Sequence, residues 1–268
     1  LFAALAFCQD GDEILHADHG FEMYSIVSKV VGAVPKKIQE DENFNLNIEN
    51  LISQINEATK VIYIASPNNP TGTYLSRNHL VSLMNNIPKH IIVVIDGAYV
   101  EYVEKDDYDK GFSLSDEYEN IILTRTFSKT YGLAALRVGW CYTSQKIANI
   151  INKIKPPFNT TSISQSLAIK ALEDKEHIMN SVKLNTKVKD WFEKELKLLN
   201  IKIRQTQGNF TLIETSLEEA EKISNHLISD GIIIRRLNSY NLPNFLRISI
   251  GTEEEMKMTV ESLKKIYV

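Results

Sequence analysis

The stretch "HIIVVIDGAYVEY", His90 to Tyr102, decides how this chain is read. Residues 91–95 are apolar without polar alternation, the pattern of a strand covered on both faces, and the run ends on Asp96. An aspartate there sits at the top of a buried strand. Isolated burial of a carboxylate is costly or drives its pKa upward. A cationic partner relieves that cost, and a protonated heterocyclic nitrogen would serve. An N-cap or loop aspartate is the plainer alternative. Tyr99 can bring a phenol to the same ligand, or can simply pack.

Outward from this stretch, short β-rich apolar runs alternate with helical periodicity, which predicts an α/β fold with a largely parallel sheet. Strands are expected at 13–17, 61–65, 91–95, 121–125 and 138–142. Helices are expected at 22–31, 48–56 and 77–86, with Ser76 as an N-cap for the last. After Tyr142 the character changes. Helices follow at 144–154 and 162–173, then one long helix at 176–199. Beyond Asn200 come "KIRQT", "NFTLIET", a helix at 217–229, "GIIIRRL", "NFLRISIG" and a last helix at 253–266. That order predicts a large domain over 1–175 and, over 176–268, the connecting helix with a smaller α+β domain.

Bulk properties set limits. The chain has 268 residues, 43% hydrophobic and 24% charged, with a net charge of −4, so a large core is possible and no basic nucleic-acid footprint exists. No apolar run approaches the length needed to cross a bilayer. Cys8 and Cys141 form neither a disulfide framework nor a metal pattern, and a reducing cytoplasm is the expected compartment. The opening "LFAALAFC" lacks an initiator methionine and a polar cap. It reads as the second half of a helix, and a longer parent protein is expected.

Three further segments lie where strands end, the place where open α/β sheets bind ligands. In "ASPNNPTGTYLS" (65–76) the Asn-Pro and Thr-Gly pairs force a turn, and Asn69 is either a rigidly held donor or part of an ordinary connection. In "TRTFSKTYGLAALRVGW" (124–140), Lys129 sits in a tight turn with Arg137 shortly after. Lys129 is a solvated surface group, a phosphate contact or an amine nucleophile; the glycine spacing of a nucleotide P-loop is absent. Arg137 can grip a phosphate with help from the Ser128 hydroxyl. In "GIIIRRLNSYNLPNFLRISIG" (231–251), Arg247 interrupts an apolar strand and calls for an anionic partner, while Arg235 suits a planar anion or a structural salt bridge.

Taken together, these residues resemble the fold-type I pyridoxal-phosphate aminotransferases, most closely the histidinol-phosphate aminotransferase family. The resemblance runs from "DGDEILHADHGFEMYSIVSKVVGA" to "LRISIGTEEE". It implies a large domain with a mostly parallel mixed sheet, a smaller C-terminal α+β domain, and pyridoxal 5′-phosphate as cofactor. Lys129 matches the lysine that bonds the cofactor aldehyde, and Asp96 matches the partner of the pyridinium nitrogen. Asn69 and Tyr99 match donors to the ring's phenolate oxygen; Ser128 and Arg137 match phosphate ligands. Phe21, in "HGFEMY", stands where the family stacks an aromatic ring on the cofactor. Arg247 matches the arginine that binds the amino-acid α-carboxylate, and Arg235 one that binds a substrate phosphate.

The resemblance also implies amino-group transfer from glutamate to imidazole-acetol phosphate in histidine biosynthesis, small amino and keto acids as partners, and a homodimer. Within that dimer, 155–162 ("KPPFNTTS") is expected near an interface or active-site loop. An aromatic amino-acid aminotransferase, a threonine-phosphate decarboxylase-like lyase and a ligand-sensing domain are the other readings. Gly97, Thr130 and Ala135 depart from the family's glutamate, small residue and glycine. The family's glycine–serine-rich phosphate turn, its N-terminal arm and a tyrosine reaching the neighbouring subunit are expected to precede this segment. These residues alone are therefore expected to hold cofactor poorly.

Overall fold

The computed structural model describes residues 1–267. A short helix α1 (Phe2–Phe7) leads into β1 (Glu13–Ala17), and three crossovers follow. They run through α2 (Met23–Val30) to β2 (Val34–Ile38), α3 (Ile48–Ser53) to β3 (Thr59–Ala65), and α4 (Arg77–Asn86) to β4 (Ile92–Asp96). A single 3-10 turn and α5 (Phe112–Glu117) connect to β5 (Ile121–Thr126), and β6 (Gly139–Thr143) closes the sheet. The strand order is β2-β1-β3-β4-β5-β6, with all pairs parallel except β5 with β6.

The missing polar alternation has a direct structural cause. Ile62, Ile64, Val93 and Ile95 point to a core completed by Leu51 of α3 and Leu80 and Leu83 of α4. Val61, Tyr63, Ile92 and Val94 point the other way, onto Ala4, Tyr24, Val27 and Ile147. Each fully buried Ile, Leu or Val contributes about 1.5–3 kcal/mol, so apolar side chains on both faces fix these strands in the middle of the sheet. Ser76 caps α4 as expected, accepting from the His79 amide at 3.3 Å.

After α6 (Gln145–Ile154) and α7 (Ser162–Glu173), the helix α8 (Lys175–Leu198) runs 24 residues. It leads to β7 (Lys202–Arg204), β8 (Phe210–Glu214), α9 (Leu217–Ser229), β9 (Arg235–Leu237), β10 (Leu242–Ser249) and α10 (Glu253–Tyr267). The four strands form an antiparallel sheet in the order β7-β8-β10-β9. Ile213, Leu246 and Ile248 pack against α8, α9 and α10. Leu212, Leu237 and Phe245 face the opposite way and meet Phe44. Residues at odd positions of β10, Arg247 among them, therefore point away from the helices.

Two elements were not expected. β2 reads "VPKKI", and its proline and paired lysines suit an edge strand with mostly exposed side chains. α5 is only six residues long and starts from Gly111 in the left-handed conformation. The apolar segment 231–237 is strand only from Arg235 onward. Ile232 and Ile234 still pack on the helical core, while Ile233 is exposed.

Candidate active site

Open α/β sheets form their ligand crevice beyond the carboxyl ends of their strands. Here a cleft of about 570 Å³ opens between the two sheets. It is lined by eight of the residues expected at a site: Phe21, Asn69, Asp96, Tyr99, Ser128, Lys129, Arg137 and Arg247. Arg235 does not line the cleft itself. It stands directly opposite Arg247 in the β9–β10 pair, so both side chains leave the same face of the sheet.

Each group is set by its local chain. Asn69 rides on a turn after β3 that is clamped from several directions. The Asn68 amide group donates to the His19 carbonyl (3.1 Å) and to the Thr71 hydroxyl (2.8 Å). Gly72, at φ +75°, lies against Thr206, and its carbonyl accepts from the Gln207 amide at 2.7 Å. Lys129 sits on a turn after β5, closed by bonds from Gly132 N to the Lys129 carbonyl and from Leu133 N to the Phe127 carbonyl, both 2.9 Å. The Ser128 amide donates to the Thr126 hydroxyl at 3.1 Å. Arg137 is exposed at the rim in a left-handed conformation, donating to the Ala134 carbonyl at 2.7 Å.

Asp96 ends β4 and faces the cleft. Tyr24 donates its phenol to Asp96 Oδ2 at 2.9 Å, and the Ala98 amide donates to Oδ1 at 3.2 Å. Burial pushes the Asp96 carboxyl above the usual carboxylate range, and these bonds and the nearby Arg125 guanidinium partly oppose it. Lys129 holds its Nζ 5.2 Å from the Tyr99 ring centre. Burial and then the Arg247 guanidinium pull this amine below the ordinary lysine value, with Asp96 opposing. Tyr99 is itself buried, with its ring edge-on to Phe210 at 5.4 Å.

Arg247 does not meet the carboxylate its position called for. Its guanidinium donates to the Asn69 side-chain oxygen and lies 5.2 Å from the Phe210 ring centre, while its Nε is buried without a partner. A guanidinium held by neutral neighbours keeps its full charge for an incoming anion. Arg235 pairs with Glu22 at 3.4 Å and is largely exposed. Phe21, 37% exposed, presents its edge to Tyr24 at 5.9 Å.

Two residues were missed in the sequence. Tyr24 has no motif that separates it from ordinary helix packing. Arg125, only 7% exposed, bonds the Thr124 carbonyl at 2.8 Å and the Lys110 carbonyl, and lies against Phe112 and Trp140. Its guanidinium also explains the departure at Gly97. A Cβ there would come within 2.3 Å of Arg125 Nη1 and 2.5 Å of Val100.

The chemistry of these donors suits a phosphorylated heteroaromatic aldehyde. A buried carboxylate whose side-chain donor is a neutral phenol can still take a ring-nitrogen cation. A half-buried amine with depressed basicity is able to bond an aldehyde. Fold and cleft together define a pyridoxal-phosphate enzyme of fold type I. Residues 1–263 match the family model described as aminotransferase class I and II, and the chain belongs to that family.

The relatives narrow this further. The histidinol-phosphate aminotransferase of Pelagibacter ubique is 38% identical over 264 residues, covering 97% of this chain and 73% of the relative. Histidinol-phosphate aminotransferase 1 of Idiomarina loihiensis is 36% identical over 263 residues, covering 98% of this chain and 71% of the relative. Among solved structures, the Sinorhizobium meliloti histidinol-phosphate aminotransferase in complex with pyridoxal-5′-phosphate superposes with a TM-score of 0.92 at 24% identity. That match covers 99% of this chain and 73% of that one. No described helix is long and apolar enough to cross a membrane.

Proposed function

We propose that the chain carries out amino-group transfer between histidinol phosphate and 2-oxoglutarate, giving imidazole-acetol phosphate and glutamate, in histidine biosynthesis. The observation that carries the phosphorylated substrate is the pairing of Arg247 with Arg235 across two strands. Two arginines opposed on neighbouring strands suit the phosphate of histidinol phosphate, its only anionic group, and the carboxylates of glutamate. The names of the curated relatives support the same substrate.

When bound, pyridoxal phosphate supplies an electron sink that stabilises negative charge at the substrate α-carbon. In this reading Lys129 would hold the cofactor through its aldehyde, and its amine would move the proton at the substrate α-carbon; positioned acid–base groups contribute about 10²–10⁴-fold. Asp96 would favour the protonated form of the ring nitrogen. Asn69 and Tyr99 would donate to the cofactor's phenolate oxygen, Phe21 would pack on its ring, and Ser128 and Arg137 would hold its phosphate. Arg247 would orient the α-carboxylate of glutamate, and Arg235 the phosphate of histidinol phosphate, which carries no carboxylate. The cofactor groups belong to a domain over 1–175, and the two substrate arginines to one over 176–268.

A homodimer belongs to the same proposal. Phe158, 97% exposed, precedes α7, whose Ile163, Leu167, Ile169 and Leu172 are all exposed. Such an apolar surface is suited to a subunit contact. The substrate assignment is tested by comparing kcat/KM for histidinol phosphate, phenylalanine and tyrosine in wild type and Arg235→Ala. Loss of one charge-assisted contact is expected to lower kcat/KM for histidinol phosphate about 10- to 100-fold and leave the aromatic acids unchanged. Equal effects on all three would overturn the assignment.

A further inference from the structure

We propose that Tyr24 is a positioning residue for the cofactor: by bonding one oxygen of Asp96, its phenol sets the orientation in which the carboxylate meets the ring nitrogen. This rests on the reading of Asp96 as that nitrogen's partner.

Tyr24 opens the first turn of α2 and is 6% exposed, yet its hydroxyl reaches across to the end of β4. Its ring is locked on several sides. It lies parallel to Tyr63 of β3, with centres 4.7 Å apart and planes 2° apart. Phe21 meets it at 90°, and the buried His16 ring is 6.0 Å away. His16 is in turn held by the Ala17 carbonyl (2.7 Å) and the Ser25 hydroxyl (2.8 Å). The phenol therefore arrives at Asp96 from a fixed direction.

The choice of donor matters as much as its geometry. A lysine or arginine at 2.9 Å would pair with the Asp96 charge and weaken its attraction for a second cation. A neutral phenol fixes the carboxylate without cancelling its charge. The phenol also remains a donor throughout the working pH range, because burial and the adjacent Asp96 push its own ionisation well above the ordinary tyrosine value. A carboxylate has about four acceptor positions, so bonds from Tyr24 and Ala98 leave capacity for the ring nitrogen.

The test uses the full-length apoprotein loaded either with pyridoxal phosphate or with its 1-deaza analogue, in which carbon replaces the ring nitrogen. For Tyr24→Phe, which keeps the ring stack, affinity for pyridoxal phosphate is expected to fall about 10- to 100-fold, the value of a hydrogen bond to a charged group. Affinity for the deaza analogue should change less than threefold. The acid limb of the kcat profile should move to higher pH, because Asp96 loses a bond that favours its ionised form. Tyr63→Phe, whose hydroxyl has no bond to Asp96, controls for altered packing and should change neither affinity. Equal losses for both cofactors in Tyr24→Phe, or the same loss in Tyr63→Phe, would overturn the proposal. Asp96→Asn separates the two layers. If it leaves pyridoxal-phosphate affinity and turnover intact, the reading of Asp96 fails. If it abolishes both while Tyr24→Phe behaves as wild type, only the role of Tyr24 fails.

Discussion

Replacing Arg247 by methionine tests its proposed role in substrate recognition. Arg247 lies in the middle of β10, opposite Leu212 on β8 and Arg235 on β9, with its guanidinium over Phe210. Methionine fills most of the same volume against that ring, and the change removes a buried Nε that has no partner. Stability should therefore change by no more than about 1 kcal/mol, since the lost bond to Asn69 is offset by the removal of an unsatisfied donor. Binding should suffer much more. A forked contact to an α-carboxylate contains two charge-assisted bonds worth about 1.5–3 kcal/mol each, part of which water regains in the free enzyme. A net loss of about 3–4 kcal/mol corresponds to a fall of about 10²–10³-fold in kcat/KM for glutamate, the substrate of this pair that has an α-carboxylate. Steady-state kinetics with glutamate and with histidinol phosphate, alongside thermal unfolding, would measure both quantities. A fall of less than threefold for glutamate with the protein folded would refute the role of Arg247. A loss confined to histidinol phosphate would refute its assignment to the α-carboxylate shared by amino acids.

Lys129 is expected to react with aldehydes at lower pH than a free lysine, because burial and Arg247 both disfavour its protonated form. The rate of borohydride-trapped labelling against pH should reach half its maximum below the ordinary lysine pKa of about 10.4, and Arg247→Met should move that midpoint upward. Lys129→Ala should abolish the label. Gly72→Ala tests the clamp beneath Asn69. It adds a Cβ at φ +75° and 2.3 Å from Thr206 Cβ, so a loss of about 2–4 kcal/mol is expected in denaturant unfolding. A change within 0.5 kcal/mol would show that the turn relaxes freely.

Much of the fold was legible because burial leaves a periodic trace. The uninterrupted apolar runs at β3, β4 and β5 report helices on both faces of one sheet, and the boundaries of α4, α7 and α9 follow their caps. β2 was missed because an edge strand buries little, and its lysines and proline resemble a loop. α5 was missed because six residues hold too few turns to establish a period.

The site divides along a related line. Strand ends singled out Asp96, Lys129 and Asn69 as candidates, and Arg247 stood out inside a strand, since a charge or amide in or after an apolar run needs a partner. Which partners they meet depended on the crossing of distant segments. Tyr24 reaches Asp96 from 72 residues away, and Arg247 meets Asn69 across 178. Local sequence records whether a side chain is buried, because burial depends on its own element's face. It carries no record of the direction from which another element will approach. The tertiary arrangement alone therefore decided that Arg247 would rest on a neutral amide, that Arg235 would stand beside it, and that a phenol would hold the carboxylate.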